Sequence, residues 1–354
     1  MIEEQLVELA LVLNSVLVVL LLAVWSAHGL WKTWRARITE PAVERARARL
    51  VQDLADGRIA AKTEAAVRSL SLNRQMLLLA RVGRQISGRQ RSLLAELART
   101  TGLYQRAEAD CGSMRWSRRL RGADVLTLLG GGEGAMTSLL RDPSVYVRTQ
   151  AAEWAVGQPS PAVLEALLDL LDDPDSGARF AAADAVLRVG TPVVGAIAER
   201  LARTPSSGSA RAGTTRLLDV AAGIRDTSFI PPALRLSRAE DPGVRARAVA
   251  LLGLVGGEDA VTRAEELLDD PVARVRAAAV RALGNLGYWP AAPEVGGRLG
   301  DESWDVRREA GLALRAMGSP GQLVLRRATR EGDPFAADMA RLTLALPDTH
   351  GAEP

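Results

Sequence analysis

The chain has 354 residues, of which 47% are hydrophobic and 25% charged, and its net charge is +3. Such a length indicates a repeat array or several domains rather than one ordinary core. The single cysteine, Cys111, excludes an intrachain disulfide. The two histidines, His28 and His350, are remote from each other, which excludes a Cys/His zinc site and a catalytic triad. We therefore expect no metal, no cofactor and no catalytic residue.

The charge is divided sharply along the chain. Residues 1–31 contain three acids and no base, and residues 32–121 contain 20 Lys and Arg against 8 Asp and Glu. Residues 122–354 contain 25 against 31. A basic block beside an uncharged segment is typical of contact with acidic lipid headgroups.

An uncharged stretch runs from Leu9 to Trp31. As a helix it would span about 34 Å, which is enough to cross the hydrocarbon core of a bilayer. A signal peptide is the alternative, but the preceding residues are acidic and the bulky Trp25 stands where cleavage needs a small residue. We predict one transmembrane helix over 9–31 after a short extracytoplasmic segment, 1–8.

Bases flank this segment on its C-terminal side alone. The positive-inside rule then places the N-terminus outside and everything after Trp31 in the cytoplasm. Residues 32–112 follow as a basic juxtamembrane segment with helical periodicity from Pro41 onwards. The candidate lipid contacts are Lys32, Arg35, Arg37 and Arg45.

Six arginines recur through the rest of the chain with gaps of 31, 32, 34, 31 and 31 residues. Each gap fits two short helices with their turns. Each arginine comes after a turn, most often with an aspartate, and before an alanine-rich run with helical periodicity. The set is Asp142, Arg148, Asp173, Arg179, Arg211, Asp241, Arg245, Asp270, Arg276, Asp301 and Arg307. The sequence thus predicts an all-α fold, with an α-solenoid over 113–345 and a disordered tail, 346–354.

The repeated aspartates and arginines have a structural interpretation. An Asp before Pro predicts a helix N-cap, and an Arg at each helix start can reach a carboxylate of its own or an adjacent repeat. We interpret the set as a structural ladder first and a binding surface second.

The clearest copy runs from Asp270-Pro271 through Val275-Arg276, Ala279 and Leu283 to Gly287. This pattern resembles HEAT repeats, and specifically the short bacterial kind named after phycobilisome lyases. The resemblance implies a solenoid in which the repeated Asp and Arg are structural. Membrane-anchored bacterial proteins of this kind are associated with membrane glycosyltransferases of polysaccharide export. The resemblance therefore implies an accessory subunit in the bacterial inner membrane, with such an enzyme as the guessed partner.

Three classes of function remain open. A protein-binding scaffold is our prediction, with a bilin-lyase-like enzyme and a HEAT-like nucleic-acid-binding protein as alternatives. The predicted anchor and the lack of an obvious acid–base pair argue against the lyase, and the acidic balance of residues 122–354 argues against nucleic acid. In a solenoid one helix series carries the binding surface. We assign it to the second helices, with the candidate partner residues Glu165, Asp169, Glu199, Glu265, Arg298 and Arg326.

Overall fold

The computed structural model describes residues 41–83, 85–86, 88–206, 212–330 and 333–347. Every regular element in those ranges is a helix, which confirms the predicted all-helical class. Several predicted features lie outside the described residues: segments 1–8 and 9–31, Lys32, Arg35, Arg37, Arg211 and the tail from 348 onwards.

The chain divides into two compact units after Gly132. The described helices of the first, the N-terminal unit, are α1 (41–55), α2 (Ala61–Arg68), α3 (Leu72–Gly83), α4 (Arg89–Thr100), α5 (Leu103–Cys111) and α6 (Trp116–Leu129). Their apolar faces bury leucines such as Leu78 and Leu126. Helix α6 approaches α5 closely at Gly122, where an added Cβ would lie 2.5 Å from the carbonyl oxygen of Ala107.

The N-terminal unit includes α6, so the first residues of the range predicted as a solenoid, 113–345, belong to this unit.

The second unit, here the repeat unit, begins at Glu133. Its first helices are α8 (Val145–Ala155), α10 (Ser176–Val189), α12 (Ala212–Ile224), α14 (Pro242–Val255), α16 (Ala273–Asn285) and α18 (Trp304–Ala316). The second helix of each pair follows: α9 (Pro161–Asp169), α11 (Val194–Arg203), α13 (Ile230–Leu236), α15 (Glu258–Glu266), α17 (Ala292–Gly297) and α19 (Ser319–Ala328). Helix α7 (Glu133–Leu139) precedes them and α20 (Pro334–Ala345) closes the stack.

The described ladder aspartates before the first helices take one of two forms. Asp241 is a true N-cap, because α14 begins at the next residue and its carboxylate accepts from the amides of Gly243 and Val244. Asp270 lies further from its helix and accepts from the amide of Val272, two residues on, at 2.9 Å. The ladder aspartates Asp142, Asp173 and Asp301 make the same two-residue turn. The N-cap role predicted for an Asp before Pro is therefore wrong for Asp142, Asp173 and Asp270, since the side chain closes an Asx turn instead.

Consecutive first helices pack through small residues. An added Cβ on Gly253 of α14 would lie 2.5 Å from the Cα of Ala282 in α16. An added Cβ on Gly284 of α16 would lie 2.8 Å from the Cα of Ala313 in α18. The alanine-rich runs noted in the sequence therefore serve close approach between the helix backbones.

Within the described ranges no single helix has the length and apolar character to cross a bilayer. One bent pair, α10 with the segment 191–203, passes the same test with an angle of 108° between its two helices.

Candidate functional site

An arginine near the start of a first helix joins the aspartate of the next repeat. Arg276 donates from Nε and Nη2 to the two carboxylate oxygens of Asp301, each at 2.8 Å. Arg245 makes the same two-bond contact with Asp270, at 2.9 and 3.1 Å. Arg148 pairs with Asp173, with Nη2 donating at 2.8 Å to Oδ1. In each case the partner lies 25 residues ahead, so the bridge crosses between repeats.

The guanidinium of Arg276 also donates hydrogen bonds to the turn that precedes its own helix. Nη1 of Arg276 donates to the carbonyl oxygens of Asp270 and Pro271, at 3.0 and 3.3 Å. Matching pairs of carbonyl contacts are made by Arg148, Arg179, Arg245 and Arg307. The predicted ladder thus exists as geometry, with carbonyl contacts inside a repeat and carboxylate contacts to the next.

Three described members of the predicted set depart from this geometry. Arg179 contacts the carbonyl oxygens of its own turn, and the turn of the next repeat has Thr204 in place of an aspartate. Asp241 caps its helix through its side chain. The carbonyl oxygen of Ala239, and not that of Asp241, accepts the hydrogen bond from Arg245. Arg307 contacts its own turn and places its guanidinium carbon 4.9 Å from the ring centre of Phe335. Similar residues at corresponding positions of the repeats therefore have different roles.

The charges of the Arg276–Asp301 pair are shielded from solvent, with side chains 9% and 5% exposed. Burial by itself would raise the pKa of Asp301, but the hydrogen bonds from Arg276 and the amide of Ser303 hold that pKa below its ordinary value of 3.8. The hydrogen bond to Asp301 likewise raises the pKa of Arg276. Both groups are therefore charged at neutral pH.

The predicted partner residues on the second helices are largely engaged within the chain. Arg141 and Arg200 both donate to the carboxylate of Asp169, at 2.8 Å each. Arg200 also lies 3.7 Å from Glu165. Glu199 pairs with Arg203 on its own helix, and Arg298 pairs with Asp269 of the preceding repeat. Glu265 is half-buried and Arg326 exposed. Their role towards a partner stays a prediction.

Two further arginines anchor consecutive second helices, and the sequence analysis missed both. Arg235 donates to the carbonyl oxygens of Leu201 and Thr204 at 2.5 and 2.7 Å. Arg263 donates to the hydroxyl and carbonyl oxygens of Ser237, each at 2.8 Å. The spacing of these arginines is irregular, so periodicity alone could not have identified them.

Ion pairs also cross between first helices. Arg188 holds Glu153 through two hydrogen bonds of 2.5 and 2.9 Å. Glu309 is buried and accepts from Arg281 and Arg308 at 2.9 and 2.7 Å. Burial opposes the charge of Glu309, yet the two guanidinium groups hold its pKa below the ordinary 4.5.

Exposed aromatic residues lie at the starts of several first helices and of α20. Tyr146, Phe180, Trp304 and Phe335 are between 55 and 76% exposed. The guanidinium of Arg308 lies over the ring of Trp304, at 5.4 Å from its centre. All four residues lie within the first two turns of their helices, α8, α10, α18 and α20. We call them the aromatic edge.

A cavity of about 290 Å³ lies beside the first ladder bridge, lined by charged residues that include Asp142, Arg148, Asp169 and Asp173. Arg148 binds Asp142 and Asp173, and Arg141 binds Asp169, so these groups bind one another. Among the described residues, no cluster of His, Cys, Asp and Glu could hold a metal ion. The geometry offers structural bridges and an extended surface.

The family model of HEAT repeats matches residues 134–219, 215–283 and 262–345, which together span most of the repeat unit and more than half of the chain. The chain belongs to the HEAT-repeat family. None of the curated proteins matches it.

Solved structures to which the chain is similar include an engineered protein, at 18% identity over 78% of this chain and 85% of that one, with a TM-score of 0.35. The complex of CpcE and CpcF of phycocyanin lyase from Nostoc matches at 17% identity, over 68% and 93%, with a TM-score of 0.33. Human deoxyhypusine hydroxylase in complex with glycerol matches at 18% identity, over 70% and 97%, with a TM-score of 0.29. At these identities the likeness concerns the fold alone.

Proposed function

We propose that this HEAT-repeat protein is a membrane-anchored scaffold that binds a protein partner along the repeat unit. The observation that carries the proposal is the aromatic edge, a set of exposed rings on a helical stack in which many of the charged residues bind one another. Aromatic residues and arginines dominate the binding energy of protein interfaces. Exposed apolar side chains grouped on one edge mark an interaction site more often than scattered ones.

The anchor is the uncharged segment from Leu9 to Trp31, with the repeat unit on the cytoplasmic side of a bacterial inner membrane. Its length and the excess of bases after Trp31 support this arrangement.

For the partner, we keep the class that the family resemblance implies, a membrane glycosyltransferase of polysaccharide export, with this chain as a non-catalytic accessory subunit. The buried carboxylate of Glu309 is held by two guanidinium groups. No contact among the described residues favours a bilin-lyase activity or nucleic-acid binding, so neither is proposed.

The test is recovery of the partner from gently solubilised membranes with full-length protein. We expect Trp304→Ala with Phe335→Ala to reduce recovery at least tenfold, because both rings are exposed and their removal leaves the buried stack unchanged. The matched control is Leu323→Ala, an equally exposed apolar residue on the second helix α19.

A second pair of variants separates the two candidate surfaces. Glu199→Lys with Glu265→Lys reverses charges on the second helices. Loss of the partner in this variant, with full recovery in the aromatic-edge variant, would contradict the aromatic edge and favour the second helices.

A further inference from the structure

We propose that the N-terminal unit docks on an anionic lipid bilayer through a face formed by α1, α3 and α6. This inference rests on the membrane anchor proposed above, and it adds a surface that an anchor does not by itself require. We call this surface the basic face, and its residues are Glu44, Arg47, Val51, Leu77, Arg81 and Arg121.

Contacts between the three helices make the face continuous. On α1, Glu44 lies 3.1 Å from Arg47 and 4.0 Å from Arg81 of α3. On α6, Arg121 donates at 3.3 Å to the side-chain oxygen of Asn73, which is also on α3. Asn73, Leu77 and Arg81 follow one another at four-residue spacing, so they share one side of α3.

The face combines apolar and cationic groups. Val51 and Leu77 are 47% and 48% exposed. The side chains of Arg47, Arg81 and Arg121 are 45%, 52% and 40% exposed. Exposed aliphatic residues beside guanidinium groups are typical of surfaces that lie in the bilayer interface, where the bases bind lipid phosphates.

The charge of the whole unit complements an anionic membrane. Residues 41–132 contain 17 Lys and Arg against 8 Asp and Glu. The repeat unit, by contrast, belongs to the acidic remainder of the chain. Attraction to acidic headgroups therefore favours contact through the N-terminal unit.

The position of the anchor favours a bilayer over other acidic partners. Nine residues separate Trp31 from Pro41, where the described part of α1 begins. Even a fully extended link of that length reaches only about 35 Å. With the predicted helix 9–31 in the membrane, the start of α1 therefore stays close to the headgroups.

The chain allows a clean labelling experiment. Its one cysteine, Cys111, is buried, and burial together with nearby Asp110 raises the pKa of its thiol to about 11. A fluorophore that reacts with thiolates at neutral pH will therefore label an introduced surface cysteine instead. We use Leu77→Cys on the basic face and Glu96→Cys on α4, whose described residues do not belong to that face.

The labelled full-length protein is reconstituted into vesicles of phosphatidylcholine alone or with phosphatidylglycerol, each containing lipids with a bilayer-embedded quencher. In anionic vesicles we expect at least twofold stronger quenching at position 77 than at position 96. High salt should abolish the difference, because the Debye length falls to about 3 Å at 1 M.

The charge requirement is tested with Arg47→Glu and Arg81→Glu together, which should remove the quenching at position 77. The matched control is Lys62→Glu with Arg99→Glu, two exposed bases on α2 and α4, which should retain it. Circular dichroism confirms that both variants keep their helices.

The outcomes separate this inference from the anchor on which it rests. If the protein does not float together with neutral vesicles in a flotation assay, the proposed membrane anchor is wrong. If the fluorophore at position 77 is quenched no more than the fluorophore at position 96 in anionic vesicles, the proposed docking through the basic face is wrong, whether or not the protein floats with the vesicles. Equal loss of quenching at position 77 in both charge-reversal variants also overturns the proposal, because the net charge of the unit, and not the basic face, would then explain the binding.

Discussion

At the scale of the residue, three ladder arginines, Arg148, Arg245 and Arg276, join groups that are distant in sequence. Arg276 binds the carbonyls of its own turn and the carboxylate of Asp301 in the next repeat. Its planar guanidinium presents several donors in fixed directions, so one side chain sets both the turn and the spacing between repeats. Lysine could not make the same set of directed contacts.

We predict that Arg276→Ala destabilises the protein by about 2 kcal/mol, because it leaves the buried carboxylate of Asp301 without its main partner. The double variant with Asp301→Ala should cost at least about 1 kcal/mol less than the sum of the two single changes. Urea unfolding of the full-length protein in mild detergent measures these differences.

The control for this cycle is the exposed pair Arg247 and Asp219, whose nitrogen and oxygen lie 2.9 Å apart. Here we expect a coupling of about 0.5 kcal/mol or less, since solvent screens the charges. Equal coupling in the two cycles would contradict the structural role assigned to the ladder.

The buried carboxylates predict a loss of stability in acid. The folded-state pKa values of Asp301 and Glu309 lie below their ordinary values of 3.8 and 4.5. Their contribution is therefore complete above about pH 5 and is lost as the pH falls through the folded-state values. We expect the urea midpoint to drop between pH 5 and pH 3, and to drop less in Glu309→Gln. Parallel curves for the two proteins would exclude Glu309 as a source.

At the scale of the element, the first helices are held together by close backbone packing. Gly253 faces Ala282 and Gly284 faces Ala313, each across a helix–helix contact with no room for another carbon. The nearest atoms are the Cα and Cβ of an alanine, which cannot rotate away as the end of a longer side chain can. The repeat spacing along the stack therefore depends on these small residues.

We predict that Gly253→Ala and Gly284→Ala each destabilise the protein by about 1–3 kcal/mol through overpacking, despite the better helix propensity of alanine. The control is Gly195→Ala on α11, where an added Cβ meets nothing within 4 Å. That change should stabilise by about 0.5–1 kcal/mol. Thermal unfolding followed by circular dichroism distinguishes the opposite signs.

At the scale of the whole molecule, the chain combines a basic N-terminal unit with a HEAT-repeat unit. The excess of bases lies in residues 32–121, next to the uncharged segment, and the acidic excess lies in the remainder. This distribution underlies both the anchoring proposal and the assignment of the partner to the repeat unit.

The topology prediction belongs to this scale. A reporter that is active only in the cytoplasm, fused after Pro354, should be active, because the bases after Trp31 retain that side of the helix inside. A cysteine introduced at Ile2 should react with an impermeant reagent from outside. An inactive C-terminal reporter would contradict the orientation and, with it, the cytoplasmic scaffold.

The sequence alone determined the helical class and the HEAT-repeat architecture, because a 31-residue period and three- to four-residue apolar spacing are local properties of the chain. It also located the ladder residues. Only the tertiary structure decided that Arg276 pairs with Asp301 of the next repeat, that Asp241 caps a helix and that Asp169 is held by two arginines. These features depend on which side chains the stacking of helices brings within hydrogen-bonding distance. The same residue types at similar spacing in the sequence do not specify those contacts.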